Sequence, residues 1–440
     1  MERVRWQPPP NERAVGLEFY ATATPGGGGL LKERAEDFLV SEISAYPLPD
    51  PEGAFTVLRI ASRNWEQHEL AQRIASRLGL PPHAVEWAGT KDRRAVSERL
   101  FAYRGVPPDR LDLADVELKD AYRARSGLVL GHHYGNSFEI RVPPDGLAPE
   151  ELSARFAATR EALRTSGGFP NLFGLQRFGE VRPVTHDVGR ALVQGDPAKA
   201  VDVYLTALPD GPSAPGALAR QSYAEHRDPV RALREFPSSF RFERQLLDHL
   251  ARGQSPERAL RALSRELRLL FIHAYQALVF NRWVSRRVAR GLSLTEPVPG
   301  DFLLRVARDG TVPGNQPIPV APDNLPECTD LVRRERARLA GPLVGYSTPR
   351  FGGQPDEILE TLLTEEGITR AGFGLPKTPD ISSAGSFRPV VVPLPPVALR
   401  STREDAGRGA DGVWFRFSLP KGAYATILLR EFLKAGATPA

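Results

Sequence analysis

The chain has 440 residues, of which 41% are hydrophobic and 25% charged, proportions that exclude a disordered protein and allow two or three folded domains. Lysine and arginine outnumber aspartate and glutamate by 58 to 53, and the net charge of +5 is compatible with a nucleic-acid partner. The one cysteine, Cys328, excludes an internal disulfide and a cysteine-rich zinc site.

Targeting and metal-binding patterns are missing from the sequence. The first residues contain no apolar stretch like that of a signal peptide, and no run of about 18 apolar residues occurs along the chain. The eight histidines are scattered, without the spacing of a metal site. We therefore expect a cytoplasmic protein with no membrane segment and no bound metal.

The first predicted elements are a strand followed by a helix. Residues Phe55–Ile60 are rich in β-forming side chains and predict the strand. Asn64 and Gln67 resemble a helix N-cap and its capping-box partner, and Gly79 is typical of a helix end. Between them apolar residues recur every four positions, as in an amphipathic helix: Leu70, Ile74 and Leu78. This strand and helix lead into the segment Trp87–Asp92.

Strands and helices are also predicted on either side of the middle of the chain. Residues Asn136–Val142 alternate between apolar and polar side chains, which indicates a half-buried strand in an antiparallel sheet. A helix with apolar residues from Leu152 to Leu163 follows and ends near Gly167. Near the C-terminus, Val413–Leu419 alternates in the same way, and a short helix is predicted over Leu428–Leu433.

The middle of the chain differs from both ends. From about residue 193 to 383 it is helix-rich, and Leu267–Val284 is apolar nearly all round, which predicts a buried helix. A helical block between two strand-rich ends indicates an inserted domain. We therefore predict an α+β fold in which residues 1–192 and 385–440 form one domain on a mostly antiparallel sheet, interrupted by a domain over residues 193–384.

Two segments in the first half of the chain could carry chemistry. Leu31–Ile43 contains Lys32 and Phe38, although by itself this segment fits a buried core better. In Gly89–Ser97 a carboxylate, Asp92, lies among lysine and arginine residues, and neighbouring cations favour the ionised form that a nucleophile or base requires. The alternative is a charged turn in which Asp92 caps a helix.

Two later segments offer aromatic rings and amides. Asn171–Gly179 places two phenylalanines, two amides and an arginine around glycines, and such groups can read an unstacked RNA base. Leu419–Thr426 sets Tyr424 among small residues between a predicted strand and a predicted helix, as in a base-stacking platform. Both segments also fit a tight loop or a close helix–strand contact.

Taken in order, these segments resemble the motif set of the TruD family of tRNA pseudouridine synthases. The resemblance rests on six stretches: LLKERAEDFLVSEI, AGTKDRRAVS, GLVLGHHYGNSFEIRV, NLFGLQRFG, HAYQALVFNRWVSRR and FSLPKGAYATILLREF. They run from about Leu30 to Lys434, nearly the whole chain. Any one of them would be moderate evidence, whereas six in the family's order are strong evidence.

The resemblance implies a fold and an activity. It implies a pseudouridine synthase catalytic domain interrupted by a TruD-type insertion domain. It also implies isomerisation of a uridine to pseudouridine in tRNA, usually at position thirteen in bacterial members. No cofactor and no metal are expected, and we expect a monomer that acts on tRNA.

The resemblance also assigns roles to individual residues. Asp92 matches the catalytic aspartate, and Lys32 matches the basic residue expected to pair with it. Four further residues match family positions that contact the target base or its neighbours or shape its pocket: Phe38, Asn171, Phe173 and Tyr424. The positions that depart from the usual motifs, none with an assigned chemical role, are Ala35, Ser97, Arg99 and Leu172.

Two other functions fit parts of this pattern. A non-catalytic RNA-binding or RNA-folding protein of the same fold would explain the basic charge and the aromatic residues, but it would not require Asp92 together with Lys32. A metal-dependent nuclease would need several carboxylates at one site, and the only acidic neighbour of Asp92 in the sequence is Glu98.

Overall fold

The computed structural model describes residues 6–44, 47–89, 91–179, 182–209, 214–307, 310–312, 316–401 and 412–439. Its strands are β1 (Trp6–Gln7), β2 (Phe38–Ile43), β3 (Phe55–Arg63), β4 (Glu86–Trp87), β5 (Val96–Arg104), β6 (Val116–Ala124), β7 (Gly135–Val142), β8 (Phe169–Pro170), β9 (Phe302–Arg305), β10 (Ile318–Pro319), β11 (Ala337–Leu343), β12 (Ser386–Pro389), β13 (Val391–Val392), β14 (Ala398–Ser401), β15 (Val413–Pro420) and β16 (Thr438–Pro439). Its helices are α1 (Pro10–Ala14), α2 (Gln67–Arg77), α3 (Pro149–Thr165), α4 (Thr185–Val193), α5 (Pro197–Thr206), α6 (Ala217–His226), α7 (Pro229–Glu235), α8 (Arg241–Ala251), α9 (Pro256–Ala262), α10 (Arg265–Ala289), α11 (Leu325–Arg333), α12 (Gly353–Glu365) and α13 (Ala425–Leu433). Short 3-10 turns lie at Ala35–Asp37, Leu175–Arg177, Arg370–Gly374 and Pro379–Ile381.

One compact unit comprises Trp6, Tyr20–Phe169 and the chain from Val392 onward, and we call it the first unit. Its described residues form an eight-stranded sheet in the order β14, β15, β7, β2, β5, β3, β6, with β4 beside β5. The neighbouring strands are antiparallel except β2 and β5, which run parallel. The predicted α+β fold with a mostly antiparallel sheet is therefore confirmed.

Aromatic side chains pack between this sheet and two helices. The ring of Phe156 on α3 lies 5.0 Å from that of Phe415 on β15 and 5.9 Å from that of Phe432 on α13, measured between centroids. The alternating residues of β15 thus point toward the helices as the sequence pattern predicted. Strand β15 pairs with β7 along its whole length, so the C-terminal strand belongs to the sheet of the first unit.

The start of α2 differs from the sequence prediction. The N-cap is Glu66, whose carboxylate accepts a hydrogen bond of 2.9 Å from the backbone N–H of Glu69. Asn64 instead has a left-handed backbone with φ 58° in the turn after β3. The Gln67 side chain is buried and accepts a hydrogen bond from Arg99. The predicted capping box is therefore wrong, because a buried guanidinium rather than the helix backbone binds the Gln67 amide.

The other compact unit, which we call the second unit, comprises Gln7–Phe19 and Pro170–Val391. It contains α1, α4 to α12 and a four-stranded antiparallel sheet in the order β10, β9, β11, β12. Helix α10 is buried along most of its length, which confirms the buried helix predicted over Leu267–Val284. At its C-terminal end Arg287 forms a fully buried ion pair of 2.6 Å with Asp301.

The boundaries between the two units lie at residues 169/170 and 391/392, whereas the sequence analysis predicted domain boundaries at residues 192/193 and 384/385. Helix α4 accounts for the first difference, because a Cβ added to Gly189 would lie only 2.1 Å from the carbonyl oxygen of Phe271 on α10. Strand β12 accounts for the second, because it pairs with β11. The roles of the two units as catalytic and insertion domains stay predictions.

Candidate active site

Lys32 and Asp92 form an ion pair at one end of β2. Lys32 lies before the 3-10 turn that opens this strand and has a left-handed backbone with φ 61°. Its Nζ is 3.1 Å from Oδ2 of Asp92. The lysine side chain is 12% exposed and the aspartate side chain 36% exposed. The carboxylate is therefore held by a largely buried cation while it remains accessible from solvent.

Phe38 lies directly beneath this lysine. It is the first residue of β2 and is buried, with its ring set edge-on to Phe138 at 6.0 Å. The Lys32 Nζ lies 4.4 Å from the centre of the Phe38 ring, within the range of a cation–π contact. The structure thus brings Lys32, Phe38 and Asp92 together, although they come from two separate segments of the sequence.

A buried ion pair anchors the start of β2. Asp37 accepts hydrogen bonds from Arg141 on β7, of 2.7 Å from Nε and 3.0 Å from Nη2, and one from Arg34. Burial raises the pKa of Asp37. The hydrogen bonds from Arg141 and Arg34 together have a larger, opposite effect and lower this pKa to about 2. This carboxylate therefore holds the strand that carries Phe38 against β7.

The lysine next to Asp92 in the sequence has a different partner. Lys91 is buried and its Nζ lies 2.8 Å from Oε2 of Glu42 on β2, with both side chains 2% exposed. Burial lowers the pKa of Lys91, and the Glu42 carboxylate opposes that effect. Gly89 lies so close that an added Cβ would be 2.8 Å from the Lys91 Nζ. The segment before Asp92 is thus fastened to β2 by an ion pair.

Glu42→Gln is expected to lower the free energy of unfolding by about 1.5–3 kcal/mol, the range for losing a hydrogen bond to a charged group. The amide keeps the shape of the carboxylate but leaves the Lys91 ammonium buried without a counter-charge. Urea denaturation of the wild type and the variant measures the difference. The double variant Glu42→Gln/Lys91→Met should recover much of the loss, since the buried ammonium without a counter-charge is then removed. A double variant as unstable as the single one would contradict this account.

Tyr424 lies in the first unit at the junction of β15 and α13. It is the N-cap residue of α13, has an extended backbone and is half-buried. The preceding turn is tied to the loop before β7, because Lys421 donates hydrogen bonds to the carbonyl oxygens of Tyr134 and Gly131. The ring is therefore set between a strand and a helix as predicted, and its contact with a substrate base stays a prediction.

Asn171 and Phe173 belong to the second unit. The Asn171 amide donates a hydrogen bond of 2.9 Å to the Pro389 carbonyl and accepts one of 2.6 Å from Arg388. The Arg388 guanidinium also lies 4.1 Å from the centre of the buried Phe173 ring, whose edge meets Phe280. Both residues thus have structural partners, and a substrate contact by Asn171 would use the second N–H of its amide nitrogen or the second lone pair of its amide oxygen.

Sequence reasoning missed three of the groups that build this site: Asp37, Glu42 and Arg141. Arg141 lies on the predicted strand Asn136–Val142, where alternation assigns it to the polar face. Asp37 and Glu42 lie in Leu31–Ile43, a segment whose sequence predicts no strand. The structure buries them as ion pairs instead. One signal in the sequence could have indicated buried ion pairs: acidic residues, Asp37 and Glu42, lie at the two ends of a segment that is otherwise rich in apolar residues.

The part of the chain that the structure describes contains neither a metal-binding cluster nor a membrane-spanning helix. No three His, Cys, Asp or Glu side chains there are grouped so that they could hold a metal ion. None of the helices there has the length and apolar character needed to cross a membrane.

Comparison with known proteins gives one family. Residues 14–432 match the family model described as tRNA pseudouridine synthase D (TruD). A relative from Halobacterium salinarum named "Probable tRNA pseudouridine synthase D" is 39% identical, over 97% of this chain and 98% of its own. A relative of the same name from Archaeoglobus fulgidus is 37% identical, over 96% and 99%. The crystal structure of a Methanosarcina mazei chain, described as TruD, superimposes with a TM-score of 0.82 at 32% identity and covers 99% of each chain.

Proposed function

This chain belongs to the TruD family of tRNA pseudouridine synthases, and we propose that it isomerises the uridine at position thirteen of tRNA with Asp92 as the catalytic carboxylate. We further propose that the first unit is the catalytic domain and the second the insertion domain. The observation that carries the proposal is the ion pair of 3.1 Å between Lys32 and the accessible carboxylate of Asp92.

The substrate must first leave the base stack. A uracil inside folded RNA cannot reach a carboxylate held at a protein surface, so the nucleotide is flipped out before its glycosidic bond is cut. Stacking of the freed base on an aromatic ring is worth about 1–3 kcal/mol and offsets part of the cost of unstacking. Tyr424 supplies this ring in our proposal, because it is half-buried at the start of α13 and belongs to the same unit as Asp92.

The reaction rearranges one bond between the sugar and the base. The bond between C1′ and N1 breaks, the uracil turns, and a bond forms between C1′ and C5. The hydrogen on C5 is lost and N1 gains one, so substrate and product have the same composition. The Asp92 carboxylate can serve by attacking the sugar or by removing a sugar proton, and both routes require an accessible carboxylate oxygen.

Lys32 acts on the carboxylate rather than on the base. Its ammonium lies between Asp92 and the ring of Phe38, and the contacts of 3.1 Å and 4.4 Å restrict where the carboxylate can turn. A group that is already oriented loses less entropy on reaching the transition state. Phe38 is buried, so its part is to support Lys32 and to form the apolar floor of the site.

Asn171 and Phe173 are proposed to bind the target base after it has left the stack. The amide of Asn171 is oriented by Arg388 and by the Pro389 carbonyl, so it could bind a polar edge of uracil with little loss of entropy. Phe173 is held in place by the same arginine. These two assignments rest on the match to the family motif and on this local order.

The purified protein is expected to form pseudouridine in an unmodified tRNA transcript, at position thirteen and at no other uridine. Primer extension after chemical derivatisation of pseudouridine maps the product to single nucleotides. A transcript in which this uridine is replaced by cytidine serves as the control and should give no product. A protein that binds the transcript but forms no pseudouridine would contradict the proposal and would support a non-catalytic RNA-binding function.

A further inference from the structure

A cavity of about 430 Å³ lies in the first unit beside the segment that leads to Asp92. It is bounded by α2, by residues from Pro82 to Trp87 and by the loop that follows β6. Pockets for small ligands occupy about 300–1,000 Å³. The cavity is therefore large enough for one planar ring, and the site described above does not use it.

The walls of the cavity suit an aromatic, uncharged group. The rings of His68 and Trp87 meet at right angles with their centroids 5.1 Å apart. The only acidic residue in the lining is Glu86, and no lysine or arginine is among the described residues that form it. A phosphate would thus meet a carboxylate and no lysine or arginine, whereas a base could stack on a ring and bond to the amide of Gln72.

The loop beside the cavity exposes apolar side chains. Leu130 lines the cavity and is 69% exposed, and its neighbours Val129 and Tyr134 are 53% and 50% exposed. Single exposed apolar residues are normal, but several in one short loop next to a cavity mark a binding surface. This loop opens the motif Gly127–Val142, and the proposed mechanism gives its exposed apolar side chains no role.

The position of the cavity sets how far the bound group can be from the reacting uridine. Trp87 and Asp92 are five positions apart, so their Cα atoms are at most about 18 Å apart even in an extended chain. A stacked strand advances about 3.4 Å per nucleotide, and 18 Å corresponds to about five nucleotides. A nucleotide from the same stretch of RNA as the target can therefore reach the cavity.

We infer that this cavity is a subsite for one unpaired nucleobase of the tRNA substrate, within about five nucleotides of the target uridine. The inference rests on the proposed function, because it takes Asp92 as the place where that uridine is held. The subsite binds the flanking base by stacking and by contact with Leu130, and it contributes to affinity rather than to the chemical step.

Binding of tRNA transcripts that each carry one abasic nucleotide, within about five positions on either side of the target, tests the subsite. For the wild-type protein, one abasic position should weaken binding roughly tenfold, the effect of losing a stacked base. The variant His68→Ala/Leu130→Ser should bind the unmodified transcript roughly tenfold more weakly and show no further loss at that position. Both side chains are exposed, so the fold should tolerate the change.

Val129→Ser is the matched control, because Val129 is exposed on the same loop but does not line the cavity. It should behave as the wild type at every abasic position. Equal losses in the wild type and the double variant at all positions would overturn the subsite, as would a Val129→Ser protein that behaves like the double variant. Turnover of the unmodified transcript by the wild-type protein separates the two proposals. Normal turnover together with equal losses in the wild type and the double variant at every abasic position contradicts only the subsite. Absence of turnover contradicts the proposed function.

Discussion

Asp92→Asn is expected to lower the rate of pseudouridine formation by at least about a thousandfold, the effect seen when the attacking group of an enzyme is removed. The amide has nearly the shape of the carboxylate but can neither attack a sugar carbon nor accept its proton. Affinity for tRNA should stay within a few-fold of the wild type, since binding comes mainly from phosphate contacts spread over the protein. Single-turnover assays measure the rate, and filter binding measures the affinity.

Asp112→Asn provides a matched control for this variant. Asp112 is 39% exposed and pairs with Arg77 at 2.7 Å, so it resembles Asp92 in exposure and in having a cationic partner. Its replacement should leave the rate within about twofold, because surface ion pairs contribute little. An Asp92→Asn protein that kept a rate within tenfold of the wild type would remove Asp92 from the catalytic role.

Asp37→Ala is expected to lower the free energy of unfolding by about 3–5 kcal/mol, the cost of removing one partner of a buried ion pair. The substitution leaves the guanidinium of Arg141 buried without the two hydrogen bonds it donates to this carboxylate. It also releases the start of β2, which carries Phe38. Urea denaturation at neutral pH measures the loss, and Asp112→Asn should cost less than about 1 kcal/mol in the same assay.

The stabilisation from Asp37 should also depend on pH. The pKa of this carboxyl is about 2 in the folded protein and has an ordinary value of 3.8. A lowered pKa gives stability that is complete above about pH 4 and is lost as the pH falls toward 2. The difference between the wild type and Asp37→Ala should therefore be constant from pH 7 to 5 and shrink in more acidic solution. A difference that grew on acidification would contradict the assigned ion pair.

Local periodicity determined much of the first unit. The alternation in Asn136–Val142 and Val413–Leu419 predicted strands that the structure contains as β7 and β15, and the spacing of Leu70, Ile74 and Leu78 predicted α2. These patterns can be read from the sequence because an element with one buried face must repeat its apolar residues at its own period. The order of the six motifs likewise indicated the family without any structure.

The family resemblance had indicated the pair of Lys32 and Asp92, but only the tertiary structure decided how the other charges of the site pair. The sequence near Asp92 offers several cations, and the structure shows that Lys91 turns to Glu42 while Lys32 reaches Asp92 from a distant segment. It also buries Arg141, which strand alternation had placed on an exposed face, because Asp37 lies within hydrogen-bonding distance. An ion pair depends on the direction of side chains brought together by folding, and hydrophobic periodicity along one segment carries no information about that direction.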